Sequence, residues 1–412
     1  MEKYKILVIP SDRSGVSHFR SVKPHLKLEE LYGNEFSVEI NMNVDFNDTE
    51  YLKQFDLVHY HKQLVDLEVS QNNLKILKDL GIKSVMDIDD YWELNQYHAS
   101  YNIAKHYKIF DKILDNIKNA EYVTTTTDYF KNIIKKYNKN VSVLENAIDK
   151  DEPQYQIENI TSDRIRIGWL GGASHAEDLK NLNGLVNRIK NDGLLDKVQF
   201  VLCGFDTRGK VNYRDKKTGK PMQRDMKPTE TVWYQYEKIF TDNYSIISDD
   251  YKKYLFEFNK GEYNNVDNEP YRRVWTKPVT SYASNYNLFD ISLAPLKDTL
   301  FNRCKSNLKV IEAGFFKKAL ICQNIEVYSN DIKHAYVKPK DKKSLPQTDL
   351  TANGYLVTND NKEWYKYLKR LILNPKEIEI LGNNLYNTIT NKYELSIITE
   401  KRYNLYKEIL KK

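Results

Sequence analysis

The chain has 412 residues, 41% of them hydrophobic and 29% charged, with 63 Lys and Arg against 57 Asp and Glu. That length exceeds one typical hydrophobic core and suits two α/β domains, and the composition excludes wholesale disorder and a membrane-embedded protein. The net charge of +6 reads as slight and spread along the chain, which fits a solvated surface better than a nucleic-acid footprint.

Residues 4–10 (YKILVIP) form an apolar strand and not a signal peptide, and no later run reaches the roughly 18 to 20 apolar residues of a spanning helix. A cytoplasmic protein is expected, with peripheral membrane contact left open. Residues 11–17 carry Gly15, and a helix-like stretch follows from His18. Strand-like runs then appear at 37–41, 57–60, 84–88, 122–126 and 141–144, separated by helix-like patterns such as 103–118.

The polar stretch 149–163, which contains Pro153, reads as the linker. Beyond it a second unit repeats the first: a strand at 164–170 (RIRIGWL), the pair Gly171 and Gly172, and a helix over 175–190. A strand, a glycine-bearing turn and a helix open a doubly wound parallel sheet, so two such openings predict two Rossmann-like domains, 1–150 and 163–392. Further strands are expected at 198–203, 291–294, 319–322 and 354–357, with a Lys-, Tyr- and Asp-rich insertion at about 207–273. An amphipathic helix over 396–410 closes the chain. Cys203, Cys304 and Cys322 are odd in number without metal-like spacing, which fits reduced thiols, Cys203 and Cys322 in the core.

The segment most suited to chemistry is 290–319 (DISLAPLKDTLFNRCKSNLKVIEAGFFKKA). A strand ends at Ala294, a polar loop follows, and Ser306 or Asn307 can cap a helix running to Phe315 or Phe316. Anions bind where a parallel strand's carboxyl end faces a helix N-terminus. Lys305, Lys309 and Glu312 share one helix face, and cations in a first helical turn oppose the dipole unless something negative lies among them. A nucleotide diphosphate beside Arg303, Lys305 and Lys309 would supply that charge. Charges of this kind are equally often a solvated surface.

The string FNRCKSNLKVIEAGFFKKALIC resembles the donor-binding strand, loop and helix of GT-B glycosyltransferases related to family 4. The likeness extends to NAID at 146–149, IGWLGGASH and FDISLAPL. It implies two Rossmann-like domains facing across a cleft, with the last helix (396–412) crossing back to the first. It also implies that Glu312 holds the donor ribose, and that a UDP- or GDP-sugar serves as donor substrate with no metal or other cofactor. The diphosphate would be held by Lys305, Ser306, Lys309 and the turn at Gly171 and Gly172, with Asn302, Arg303 and Asn307 in the same loop. Retaining members carry a second glutamate eight residues earlier, where this chain has Cys304. The sugar contact is therefore expected from Asn302, Lys305 or Asp298, and retention is implied by the likeness alone. His175 is a weaker candidate in the glycine turn.

In the first domain, DRSGVSHFRSVKP is similar to the family's glycine loop that admits the acceptor. Gly15 would allow the turn, and Arg13, Ser17, His18 and Arg20 would bind phosphate or hydroxyl groups. In MDIDDYWE the crowding of Asp87, Asp89 and Asp90 is expected to raise at least one pKa, so Asp89 and Asp90 join Lys305 as catalytic candidates. A cap on a helix at Tyr91 is the structural alternative, and Tyr91 and Trp92 would stack on a sugar or fill a core. Of His59 and His61, no more than one is expected to serve the cleft. The expected partners are the nucleotide-sugar donor and a glycan or other hydroxyl acceptor.

Three rivals remain. A dinucleotide enzyme lacks its G-x-G-x-x-G here. A DNA-base glucosyltransferase rests on the basic stretch 210–227, the one support for a nucleic-acid partner. A non-catalytic carbohydrate-binding protein is the third.

Overall fold

A computed structural model describes residues 3–96, 100–258, 260–339, 341, 344, 346–358 and 361–411. Met1, Glu2 and Lys412, at the outer ends of the expected first domain and last helix, lie outside them. Strands β1 (Tyr4–Ile9), β2 (Phe36–Ile40), β3 (Leu57–His61), β4 (Lys83–Asp87), β5 (Tyr122–Thr125) and β6 (Val141–Val143) form one sheet in the order β2-β1-β3-β4-β5-β6. Every pairing in it is parallel. Runs such as Ile6, Leu7 and Val8, fully buried, show why: a parallel strand is covered on both faces and needs apolar residues on each.

The second half adds β7 (Ile165–Leu170), β8 (Val198–Phe205), the hairpin β9 (Lys210–Arg214) and β10 (Pro221–Asp225), β11 (Tyr271–Trp275), β12 (Ile291–Ala294) and β13 (Ala319–Gln323). It ends with β14 (Tyr336–Val337), β15 (Gln347–Thr348) and β16 (Tyr355–Val357). The main sheet runs β11-β8-β7-β12-β13-β16, again parallel. Strand order reverses between β1 and β3 in one sheet and between β7 and β12 in the other. Those two switch points are where open α/β sheets bind ligands.

The helix Leu395–Lys411 packs on the first domain, where Tyr406 and Ile409 join Ile6, Val8 and Leu28 in one buried cluster. Several elements differ from the sequence expectation. The helix expected over 103–118 is two, Tyr101–His106 and Ile109–Asn119, broken where Lys108 takes a left-handed φ of 53°. The one expected over 175–190 is interrupted at Gly184, φ 76°. Most of the expected insertion belongs to the second domain itself. β11 pairs with β8, and the helix Val232–Thr241 buries Trp233, Tyr236 and Phe240 in its core. Arg272 and Arg273 interrupt the apolar pattern of β11 and hide it from a hydropathy reading. The segment that leaves the layer is the β9–β10 hairpin.

Candidate functional site

Loops at the carboxyl ends of the two sheets meet, those after β4 and β6 of the first with the one after β12 of the second. The Lys305 ammonium lies 3.7 Å from the Asp90 carboxylate, and the Asn146 amide donates to the Ser306 hydroxyl at 2.9 Å. Between the halves is a cavity of about 790 Å³, with Asp90, Leu94 and Asn95 on one wall and Ser174, Asn302 and Lys305 among the residues of the other.

On the second domain's side, the helix Leu308–Phe315 starts after Asn307, as its sequence suggests. The Asn307 side chain makes no cap, however. It is buried and donates to Asp331 at 2.7 Å, so it fixes the helix start from behind. Lys309, in the first turn, donates to the Leu170 carbonyl and lies 5.1 Å from the Trp169 ring. Burial pushes its ammonium down to about 8, against the pull of Glu312 and Asp178. A methyl group on Gly171 would lie 2.5 Å from the Trp169 indole and 3.1 Å from Lys309 Nζ. Glycine is required there for close approach, whereas a methyl group on Gly172 would meet nothing.

Glu312 is 2% exposed and accepts from the Tyr286 hydroxyl at 3.0 Å and from the Tyr282 hydroxyl. Burial raises its pKa despite those bonds and the nearby Lys309. A carboxylate has about four acceptor positions, so room for a further donor remains. Sequence reasoning missed both tyrosines, which lie far from Glu312 in the chain and carry no motif.

It also missed Asp178. This buried carboxylate accepts from His175 Nδ1 at 2.7 Å, from the Lys297 backbone at 2.7 Å and from the Asn302 amide at 3.0 Å. Asp178 thereby ties the glycine turn to the loop after β12. Asn302 and His175 position that loop, and burial lowers the His175 pKa, with Lys309 and Lys305 adding to the effect and Asp178 opposing it.

The stretch from Phe301 to Ser306 docks on the first domain. Cys304, in place of the family's second glutamate, is fully buried in the first domain's core cluster and does not face the cavity. Arg303 pairs with Asp298 at 2.6 Å, which removes the free cation expected there. Lys305 reaches across the cleft to Asp90 and lines the cavity.

On the first domain's side, Gly15 has no left-handed backbone. It is the first residue of a helix capped by Ser14, so the turn does not depend on its lacking a side chain. Its Cβ position lies 3.8 Å from Val279 of the other domain, an ordinary contact. Ser17 is buried and accepts from the Asp12 amide at 3.1 Å, while Arg13 is exposed. His18 faces Glu152 of the linker at 3.9 Å, and burial lowers its pKa.

Arg20 corrects the expectation of a surface donor. It is 1% exposed and holds Asp87 through two bonds of 2.9 and 2.8 Å, while Nη1 donates to the Leu144 carbonyl and the Asn146 amide oxygen. It fixes Asp87 and Asn146 and does not reach the cavity.

The aspartate triplet also differs from its expectation. Burial alone would raise the Asp87 carboxyl, but Arg20 outweighs it and the pKa falls. For Asp89, Lys62 at 2.9 Å and His61 at 2.9 Å outweigh burial and hold it well below the usual range. Neighbouring cations, not like charges, decide both. The two carboxylates of the Asp-x-Asp pair are thus engaged by protein cations, which does not suit a metal site. No helix starts at Tyr91, so a capping role for Asp89 or Asp90 falls away. Trp92, 4% exposed and stacked on Phe130, belongs to the core.

His61 also contacts the Ser11 hydroxyl at 2.9 Å, joining the loop after β1 to Asp89. His59, two residues earlier, lies on the same side of β3 but deeper, within 3.1 Å of the Tyr406 hydroxyl. Depth along the strand, not its face, separates the two histidines.

No protein-family model matches the sequence, and no curated protein does. Solved structures do match the fold. A glycosyltransferase from Rickettsia africae ESF-5 is similar over 100% of both chains at 14% identity, TM-score 0.62. HepE of Anabaena, solved with UDP and glucose, is similar over 98% of this chain and 100% of its own at 10% identity, TM-score 0.58. A UDP-forming α,α-trehalose-phosphate synthase from Burkholderia xenovorans covers 88% of this chain and 75% of its own at 11% identity, TM-score 0.51. Two parallel six-stranded sheets facing across a cleft, shared with these structures, are the GT-B fold.

Proposed function

We propose that the chain transfers a sugar from a nucleoside-diphosphate donor, UDP- or GDP-linked, to a hydroxyl of a glycan or other acceptor. One observation carries the reading: Lys305, Lys309 and the Gly171 turn converge at the β7/β12 switch point, and Lys305 faces Asp90 across the cleft. Charge grows on the diphosphate as the bond to the sugar breaks, and ammonium groups fixed beforehand in a partly desolvated site offset it. The two lysines fill the role that a divalent cation would otherwise take, and the transfer is read as metal-independent. Glu312 would accept from the ribose hydroxyls, and Asp90 would face the acceptor hydroxyl.

Asp89, held far below the usual carboxylate range, is a poor base, and its part is to orient His61 and Lys62. Retention at the anomeric carbon follows the family resemblance, and product anomer analysis tests it. The likeness to HepE, solved with UDP and glucose, supports the donor class. Three buried, unpaired thiols suit a reducing compartment, which supports a cytoplasmic reaction; no helix of the described residues is long and apolar enough to cross a membrane.

The experiment is a thermal-shift screen against UDP-, GDP-, ADP- and CMP-sugars, followed by release of nucleoside diphosphate from the best ligand. Neither stabilisation nor release with any donor would end this reading.

A further inference from the structure

The charge of the chain is not spread as its total suggests. Residues 208–227 hold eight basic and two acidic side chains, against 63 and 57 in the whole chain, so outside this segment acids and bases are equal in number. The segment is the β9–β10 hairpin with its flanks. All of β10, and every residue of β9 except the half-buried Val211, is exposed. A two-stranded ribbon wet on both faces buries almost nothing to offset the cost of ordering it. Its geometry is nonetheless well defined. Asp215 accepts from the Thr218 amide at 2.7 Å, Gly219 takes φ 67°, and the Met226 amide closes onto the Gly209 carbonyl at 2.9 Å.

Cations near the base are neutralised: Arg208 pairs with Asp206, Lys210 with Asp225 and Arg224 with Glu230. At the tip, Arg214, Lys216, Lys217 and Lys220 have no carboxylate partner among the described residues. The base of the ribbon is also a wall of the reaction cleft. Arg208, Gly209 and Met226 line the same cavity of about 790 Å³ as Asp90 and Lys305. At about 3.4 Å per residue, five-residue strands carry the free cations on the order of 17 Å from that wall.

We propose that the hairpin is an arm that captures a flexible polyanionic acceptor, a chain with phosphate, sulfate or carboxylate groups repeated along it, and leads it into the cleft. The assignment rests on the glycosyl-transfer reading above. A single flexible chain can touch the tip and enter the cavity together. A duplex presents a base to such a cavity only after flipping it out of the stack, and a bilayer surface would meet the tip without engaging the cavity.

The test uses the full chain and a variant carrying Arg214→Gln, Lys216→Gln, Lys217→Gln and Lys220→Gln. Four probes are titrated over a range of salt: long-chain inorganic polyphosphate, a heparin oligosaccharide, a short DNA duplex, and vesicles of phosphatidylglycerol with phosphatidylcholine. The expected result is tightest binding to polyphosphate or heparin, the better of the two naming the anionic group. The variant should raise that Kd at least tenfold and flatten the slope of log K against log salt by about 3. Binding of the nucleoside diphosphate should not change. Equal polyanion affinity in the two proteins, or tighter binding of duplex or vesicle, overturns the arm and leaves donor turnover untouched. Absence of donor turnover in the wild type removes the transfer reading, and polyanion capture lost with the four cations would still stand as a property of the tip.

Discussion

Lys305 of the second domain and Asp90 of the first form a 3.7 Å ion pair across the cleft, with side chains 22% and 32% exposed. An ion pair that open to water contributes little to stability. Its position between the expected donor and acceptor sides fits catalysis better. Lys305→Ala should therefore leave the denaturation midpoint close to that of the wild type. It should lower kcat for nucleoside-diphosphate release about 100- to 1,000-fold, the usual loss when a group stabilising transition-state charge is removed. Turnover equal to wild type would take Lys305 out of the mechanism.

Lys309 gives the proposed donor site a pH signature. Burial pushes its pKa down to about 8, so the free protein begins to lose this charge just above neutrality. A bound diphosphate favours the ammonium and raises that pKa again. Binding should thus take up a proton between about pH 8 and 9, and affinity should weaken as pH rises through that window. Calorimetry in buffers of different ionisation enthalpy measures the uptake. Lys309→Gln should abolish it, and uptake that persists in that variant would assign the proton elsewhere.

The Arg20 and Asp87 pair, 1% and 0% exposed, is a different case. Replacing Arg20 with Met strands the Asp87 carboxylate in the core, a change that costs about 3 to 5 kcal/mol. Urea unfolding should show a loss of that size. A loss below about 1 kcal/mol would mean that water or Thr124, which already donates to Asp87 at 2.6 Å, can satisfy the carboxylate alone.

The contrast between Arg20 and Lys305 shows how far the sequence can be read. Apart from β11, the strands of both sheets are largely apolar runs, and the helix Leu308–Phe315 follows a visible pattern, so the architecture and the place of Lys309 and Glu312 could be inferred. The direction of a side chain could not. Arg20 and Asp87 are distant in sequence and meet only because the helical segment His18–Val22, whose π geometry no spacing rule announces, packs on β1 and β3 and lets Arg20 reach β4, the neighbour of β3. The same holds for Cys304, which a motif comparison sets beside the donor sugar and the fold turns into the opposite core. Asp178, Tyr282 and Tyr286 carry no local signal at all.

His25 and His59 are both fully buried, with ring centroids 4.3 Å apart, and both contact the Tyr406 hydroxyl of the last helix. Neutral rings satisfy this arrangement. His25 Nδ1 donates to the Ser21 carbonyl, the Tyr406 hydroxyl donates to His25 Nε2, and its oxygen accepts from His59 Nδ1 and from Arg402. Burial holds both pKa values well below the ordinary 6.5, with His59 and Arg402 adding to it at His25, and Arg402, Arg20 and His61 adding to it at His59. Below pH 6.5 the unfolded chain then binds protons that the native state refuses, so stability rises with pH there and falls on acidification. Two such groups give a slope of about 2.7 kcal/mol per pH unit between their unfolded and native pKa values. Asp87 and Asp89, whose pKa values are lowered, add their own loss only nearer pH 4 and below. A variant carrying His25→Gln and His59→Asn should therefore unfold with a flatter pH dependence than wild type between pH 6.5 and 5. Hydrogen exchange at pH 5.5 should show the wild-type helix Leu395–Lys411 opening before either sheet, because Tyr406 anchors it to both rings. Parallel stability profiles for the two proteins would dismiss the histidine pair as the acid-sensitive joint.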